Sequence, residues 1–311
     1  MARPESPSVP ATADLESWLA AREAGHGDIR EDADARIVWA GAAGVRTPLS
    51  LVYLHGFSAS RMETSPLCDL VARACGANLF YARLAGHGRT PAAMGAATRE
   101  DWIEDGRLAF EIGSRLGERV VLVGTSTGGT LATLLAAQAP AALAALVLLA
   151  PNFGPRDPRA GLLAWPGART WVPWVVGATR EVEPESEGHA RHWMTTYPST
   201  ALVAMMQLVR ATERSALERI RVPVLAMFSD DDQVVDARRT RPMLARMAAA
   251  RVEIEPVTAV ADAPVANPSG HVFAGDVFAP HATEPTAERI LRFLATHGLT
   301  DGATPSPQTE S

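Results

Sequence analysis

Arg119-Val120-Val121-Leu122-Val123-Gly124-Thr125-Ser126-Thr127-Gly128-Gly129-Thr130-Leu131-Ala132-Thr133-Leu134-Leu135 decides the fold. The β-branched apolar run Val120–Val123 reads as a buried strand. The run from Thr130 to Ala137 reads as a buried helix. Between them, Gly124-Thr125-Ser126-Thr127-Gly128 frames a serine with glycines two residues to either side, the G-x-S-x-G pattern of a nucleophile elbow. The glycines answer a steric need. A serine on a sharp strand-to-helix turn brings its neighbours against other backbone, where a Cβ would collide. In return, the Oγ is exposed at a helix N-terminus, where free N–H groups favour developing negative charge. The plain alternative is a glycine-rich turn with an incidental serine, and the strand and helix on its two sides favour the nucleophile.

Outward from the elbow, apolar strands alternate with helices. Strands are expected at Arg36–Ala40, Leu49–Leu54, Asn78–Tyr81, Ala145–Ala150, Val222–Phe228 and Arg251–Val257, and helices at Asp14–Ala24, Trp102–Leu116 and Glu284–His297. This alternation implies an α/β fold with a mostly parallel sheet covered by helices on both faces. Residues 152–217 break it, carrying Trp165, Trp171, Trp174 and Trp193, several prolines, and Met194, Met205 and Met206. So long a loop without structure does not suit a compact domain. The stretch reads as an inserted helical cap, with Trp165, Trp193 and Met194 as candidate substrate contacts. The division is then residues 1–30 as N-terminal extension and flanking helix, 31–151 and 218–299 as core, 152–217 as cap, and 300–311 as a disordered tail. The Pro- and Ser-rich residues 1–12 are expected to lack order.

Composition narrows the function. The 311 residues carry a net charge of −6 with no basic block, which gives nucleic-acid binding no support. All 29 basic residues are arginine, so Schiff-base, Ser–Lys and P-loop chemistry are excluded. Cys68 and Cys75, about 10 Å apart along one helix, are too distant for a disulfide and read as thiols in a reducing, cytoplasmic setting. No metal-ligand spacing, signal peptide or membrane span is expected, and no cofactor is required.

A serine nucleophile needs a base, and the base needs an orienting carboxylate. After a parallel strand ending at Phe228, Ser229-Asp230-Asp231-Asp232-Gln233-Val234-Val235-Asp236 offers four aspartates at the edge where such sheets bind ligands. Asp232 is preferred because Val234 and Val235 can tuck inward and fix the loop. Asp231 is its nearest rival, ahead of Asp230 and Asp236. Of the histidines that follow, His271 lies in a loop past the last strand and is preferred as base over His281 and His297. The oxyanion donors expected are the N–H groups of Thr127 and Phe57. His55 and His87 read as structural histidines, with His55 also a candidate substrate contact.

His55-Gly56-Phe57-Ser58, Gly86-His87-Gly88, Gly124-Thr125-Ser126-Thr127-Gly128-Gly129, Asp232-Gln233-Val234-Val235 and His271 together resemble the α/β-hydrolase superfamily, in the branch of monoacylglycerol lipase-like and serine aminopeptidase-like hydrolases. The resemblance spans roughly residues 36–297. It implies an eight-strand-type sheet with a helical cap and a Ser126–Asp232–His271 triad. Arg89 stands where many relatives carry serine. The expected activity is that of a carboxylesterase on short- to medium-chain acyl esters, with a small-molecule ester as partner. The alternatives are a lysophospholipase or monoacylglycerol lipase, a peptidase using Glu181, Glu183, Glu185 and Glu187, or a non-catalytic ligand-binding protein. The sequence leaves the oligomeric state open.

Overall fold

The computed structural model describes residues 9–247, 250–257 and 269–300. In chain order it gives α1 (Leu15–Ala24), β1 (Arg36–Val38), β2 (Thr47–Leu54), α2 (Leu67–Ala74), β3 (Asn78–Tyr81), α3 (Pro91–Ala96) and α4 (Arg99–Leu116). Next come β4 (Gly117–Thr125), α5 (Thr127–Ala136), β5 (Leu143–Leu149), α6 (Ala168–Val176), β6 (Thr179–Glu181), α7 (Glu187–His192), β7 (Thr196–Pro198) and α8 (Thr200–Glu213). The chain closes with β8 (Val224–Phe228), α9 (Ala237–Ala245), β9 (Val252–Pro256) and α10 (Pro280–Thr296).

The described residues form a seven-stranded sheet in the order β1-β3-β2-β4-β5-β8-β9. Only β1 runs antiparallel, against β3. This is an α/β-hydrolase fold, with seven strands among the described residues where the resemblance implied an eight-strand-type sheet. Strand β4 sits at the centre, and its alternation divides the core. Val120 and Leu122 enter one apolar layer with Trp102, Ile112, Leu131 and Leu208 of α4, α5 and α8. Val121 and Val123 enter the other with Leu67, Val71, Ile290 and Phe293 of α2 and α10. Burying each such side chain contributes about 1.5–3 kcal/mol.

Two helices start earlier than their apolar periodicity suggests, for local reasons. Helix α4 begins at Arg99 because Thr98 and Asp101 form a reciprocal capping box. Helix α10 begins at Pro280, whose missing N–H costs nothing at that position. The segment between β5 and β8 is not purely helical: β6 and β7 pair as a short antiparallel ribbon. Its last helix, α8, buries Met205, Met206 and Leu208 in the same layer as α4 and α5. Of the N-terminal stretch expected to lack order, residues 1–8 lie outside the described residues, and Val9 is buried in the core. Residues 301–311 of the expected tail also lie outside them. Among the described residues, no helix is long and apolar enough to cross a membrane.

Candidate active site

The parallel strands deliver Phe57, Ser126, Asp232 and His271 to one edge, past the carboxyl ends of β2, β4, β8 and β9. Ser126 stands between β4 and α5 with φ 50° and ψ −116°, strain that a non-glycine residue carries only where its surroundings enforce it. The flanking glycines show what enforces it. A Cβ on Gly124 would lie 2.5 Å from the Gly128 carbonyl oxygen, and one on Gly128 would overlap the Leu54 carbonyl. The first turn of α5 is therefore pressed against the end of β2. That contact sets Thr127, the first residue of α5, beside the His55-Gly56-Phe57 turn.

Three side chains meet in one line. His271 Nε2 lies 2.9 Å from Ser126 Oγ, and His271 Nδ1 lies 2.7 Å from Asp232 Oδ2. A carboxylate only accepts, so Nδ1 carries the proton and Nε2 faces the serine as an acceptor. Ser126 is 6% exposed, His271 7% and Asp232 1%. The other oxygen of Asp232, Oδ1, accepts from Val234 N–H at 2.7 Å and Val235 N–H at 3.0 Å. Gln233 N–H donates to Ser269 O, tying the acid loop to the histidine loop. The two valines depart from the expectation that both tuck inward. Only Val235 packs inward, at 2% exposure, while Val234 is 46% exposed, and it is their amides that fix the loop.

The rival residues are occupied elsewhere. Asp230 pairs with Arg241, Asp231 is exposed, and Asp236 caps α9. His281 is exposed on α10, and His297 meets Glu253 at 2.9 Å. Asn267 and Pro268, which the sequence places in the histidine loop, lie outside the described residues.

Phe57 places its ring in an aromatic nest with His87, Trp102 and Tyr197. Among the described residues, no hydrogen-bond acceptor takes the N–H of Phe57 or of Thr127. His55 is fully buried with both ring nitrogens engaged. Leu84 N–H donates to Nε2, so Nδ1 carries the proton and donates to Gly56 O. Burial holds its pKa down to about 4, and the ring is a neutral brace for the turn. His87 is likewise kept neutral, chiefly by burial. Trp193 is buried against Ala59 and Val272, the neighbours of Phe57 and His271. Met194 N–H donates to Ser58 O at 2.7 Å. Trp165, by contrast, is 60% exposed and faces a groove with Arg99, Gln207 and Arg210, so it is not brought to the serine.

Sequence reasoning passed over Glu63. It is 2% exposed and sits directly behind the Phe57 turn. Its Oε2 accepts from Gly56 N–H at 2.7 Å and from Tyr53 Oη–H at 2.9 Å. It also passed over Arg30, whose guanidinium donates to the carbonyls of Ala190, Arg191 and Trp193 at the end of α7.

The family model described as serine aminopeptidase, S33, matches residues 48–258. Thermostable monoacylglycerol lipase from Bacillus sp. (strain H-257) is 25% identical over 190 residues, covering 60% of this chain and 72% of the relative. Pimeloyl-[acyl-carrier protein] methyl ester esterase from Sodalis glossinidius is 26% identical over 260 residues, covering 76% and 88%. Among solved structures, one of the metagenome-derived lipolytic enzymes LipS and LipT superposes with TM-score 0.70 at 23% identity, covering 86% of this chain and all of that one. Monoacylglycerol lipase from Paleococcus ferrophilus superposes with TM-score 0.61 at 16% identity, covering 85% and 98%; likenesses at this identity speak to the fold.

Proposed function

Because the chain belongs to the serine aminopeptidase S33 family of α/β-hydrolases and is a carboxylic ester hydrolase, we propose that it is a carboxylesterase acting on short- to medium-chain acyl esters through an acyl-enzyme on Ser126. The observation that carries this reading is His271 bridging Ser126 Oγ and Asp232 Oδ2. His271 Nε2 takes the Ser126 proton as Oγ attacks the ester carbonyl. Asp232 holds the ring in the tautomer that can accept it and stabilises the imidazolium that forms. The tetrahedral oxyanion is received by the N–H groups of Phe57 and Thr127, a preorganised pair worth about 3 kcal/mol or more per donor in such sites. The imidazolium then protonates the leaving alcohol. Water deprotonated by His271 releases the acid and restores Ser126.

Residues 152–217 act as a cap, and Trp193 and Met194 line the acyl side of the pocket. Trp193 packing with Ala59 and Val272, and the hydrogen bond of Met194 N–H to Ser58 O, support a short pocket. The free thiols Cys68 and Cys75 support a cytoplasmic setting. Similarity to a monoacylglycerol lipase favours glycerol monoesters as the second reading.

Hydrolysis of p-nitrophenyl esters from acetate to palmitate, by wild type and Ser126→Ala, tests the proposal. Turnover that peaks at or below medium chain length and is lost in Ser126→Ala supports it. A peak at long chains favours the lipase reading. A folded protein inactive on every ester of the series overturns both.

A further inference from the structure

Glu63 is a buried acid that the route above does not use. It lies in a one-turn helix, Arg61–Glu63, directly behind the turn that carries Phe57. Its Oε2 is shared by two donors, the Gly56 amide from the turn and the Tyr53 hydroxyl from β2. The Tyr53 hydroxyl also lies 3.0 Å from Thr125 Oγ1, the residue before Ser126. One carboxyl therefore links the turn after β2 to the elbow after β4. Gly56 must be glycine for this to happen, since a Cβ there would overlap Glu63 Oε1.

The histidine loop rests on the same segment. Gly275 adopts φ +102°, and a Cβ there would lie 2.7 Å from Glu63 O. Asp276 N–H donates to Ser65 O at 2.9 Å. The short stretch Glu63–Ser65 is thus the common seat of the Phe57 turn and the His271 loop.

We propose that Glu63 is a positioning residue: its ionised carboxylate holds the Gly56 amide through a charge-assisted hydrogen bond, and with it the direction of Phe57 N–H. This rests on the acyl-enzyme reading. Besides the backbone amide of Gly56, the ionisable groups facing Glu63 are Tyr53 from β2 and His271 from the loop after β9, with Cys68 of α2 beyond Tyr53. Burial keeps Tyr53 and Cys68 neutral at ordinary pH. Burial also pushes the Glu63 carboxyl up to about 7, against the Gly56 and Tyr53 hydrogen bonds and the His271 charge, which pull it down.

Two variants separate reach from charge. Glu63→Gln keeps an acceptor for Gly56 N–H but carries no charge. We expect kcat to fall about tenfold above pH 8, KM to stay within about twofold, and the deficit to vanish near pH 5, where wild-type Glu63 is protonated. Glu63→Asp keeps the charge but falls a methylene short of Gly56. We expect a loss in kcat of about tenfold or more that is the same at every pH. A role confined to packing would lower both variants uniformly across pH and would not separate Gln from Asp. Folded variants with kcat within twofold of wild type, or a Gln deficit independent of pH, overturn the proposal. Failure of the acyl-enzyme reading is distinguishable, because wild type and Ser126→Ala would then behave alike toward esters and toward a fluorophosphonate.

Discussion

His271 meets Asp232 through one carboxylate oxygen, while the other oxygen of that carboxylate is held by the Val234 and Val235 amides. The acid therefore has no freedom to choose which face it offers. Asp232→Asn tests this. Its carboxamide oxygen goes to the two amides, which leaves an NH2 group facing Nδ1 and forces the ring proton onto Nε2. On the proposed route, kcat falls about 10³–10⁴-fold with the fold intact, by analogy with the same swap in serine proteases. Steady-state kinetics with circular dichroism on the same samples checks it.

Gly128→Ala is expected to be among the most damaging single-methyl additions in the chain. The new Cβ meets the backbone of Leu54 and His55, which cannot swing aside as a side chain can. The cost is about 3 kcal/mol, the upper end for overpacking, and reactivity at Ser126 goes with it. Gly27→Ala is the control. A Cβ there has nothing within 4 Å, and stability should move by less than about 0.5 kcal/mol. Urea denaturation of both variants measures the contrast.

Asp105 offers a pH-dependent test of burial. Its Oδ2 accepts from Ala85 N–H at 2.6 Å, yet desolvation raises the carboxyl from 3.8 to about 7. The folded state thus binds this proton more tightly than the unfolded chain does. The ionised form is penalised above pH 7, and the penalty fades as pH falls toward 4. Asp105→Asn keeps the acceptor without the charge. It should stabilise the protein by about 1–3 kcal/mol at pH 8 and by almost nothing at pH 4. Thermal melts at both values decide; a gain independent of pH would count against the assignment.

Arg30→Ala should loosen the stretch from α7 to β7. Three carbonyls lose a charged donor, for about 2 kcal/mol. Because that stretch carries Met194 onto the Phe57 turn, KM for esters should rise more than kcat falls. Trypsin should cut at Arg191 at least tenfold faster, reporting local opening rather than global unfolding.

The elbow was legible in the sequence because every constraint on it is local: glycines, strand and helix lie within about ten residues of Ser126. The preference for Asp232 and His271 came from chain order and sheet edges, and the structure brings both to Ser126. The reason given for Asp232 was half wrong, since hydrophobicity cannot reveal that a valine contributes its amide rather than its side chain. Glu63 left no signal, because a single acid among Ser, Met and Thr has no periodicity and its partners are a backbone amide and a tyrosine hydroxyl. Trp165 was misread for the opposite reason. Composition shows that a segment is rich in tryptophan but not which of its faces looks inward. The three-residue strands β6 and β7 are too short to show alternation.

The serine and the histidine are separated by 145 residues of chain, and β5 and β8 lie between their strands in the sheet. Their meeting is among the most non-local contacts in the molecule, and such contacts form slowly and late. During refolding, reactivity of Ser126 should therefore lag behind the recovery of sheet and helix signals, appearing only when the β9 edge has docked. A nascent chain released before residue 271 would carry a disarmed serine, so the order of the strands in the sheet acts as a clock on when the protein becomes reactive.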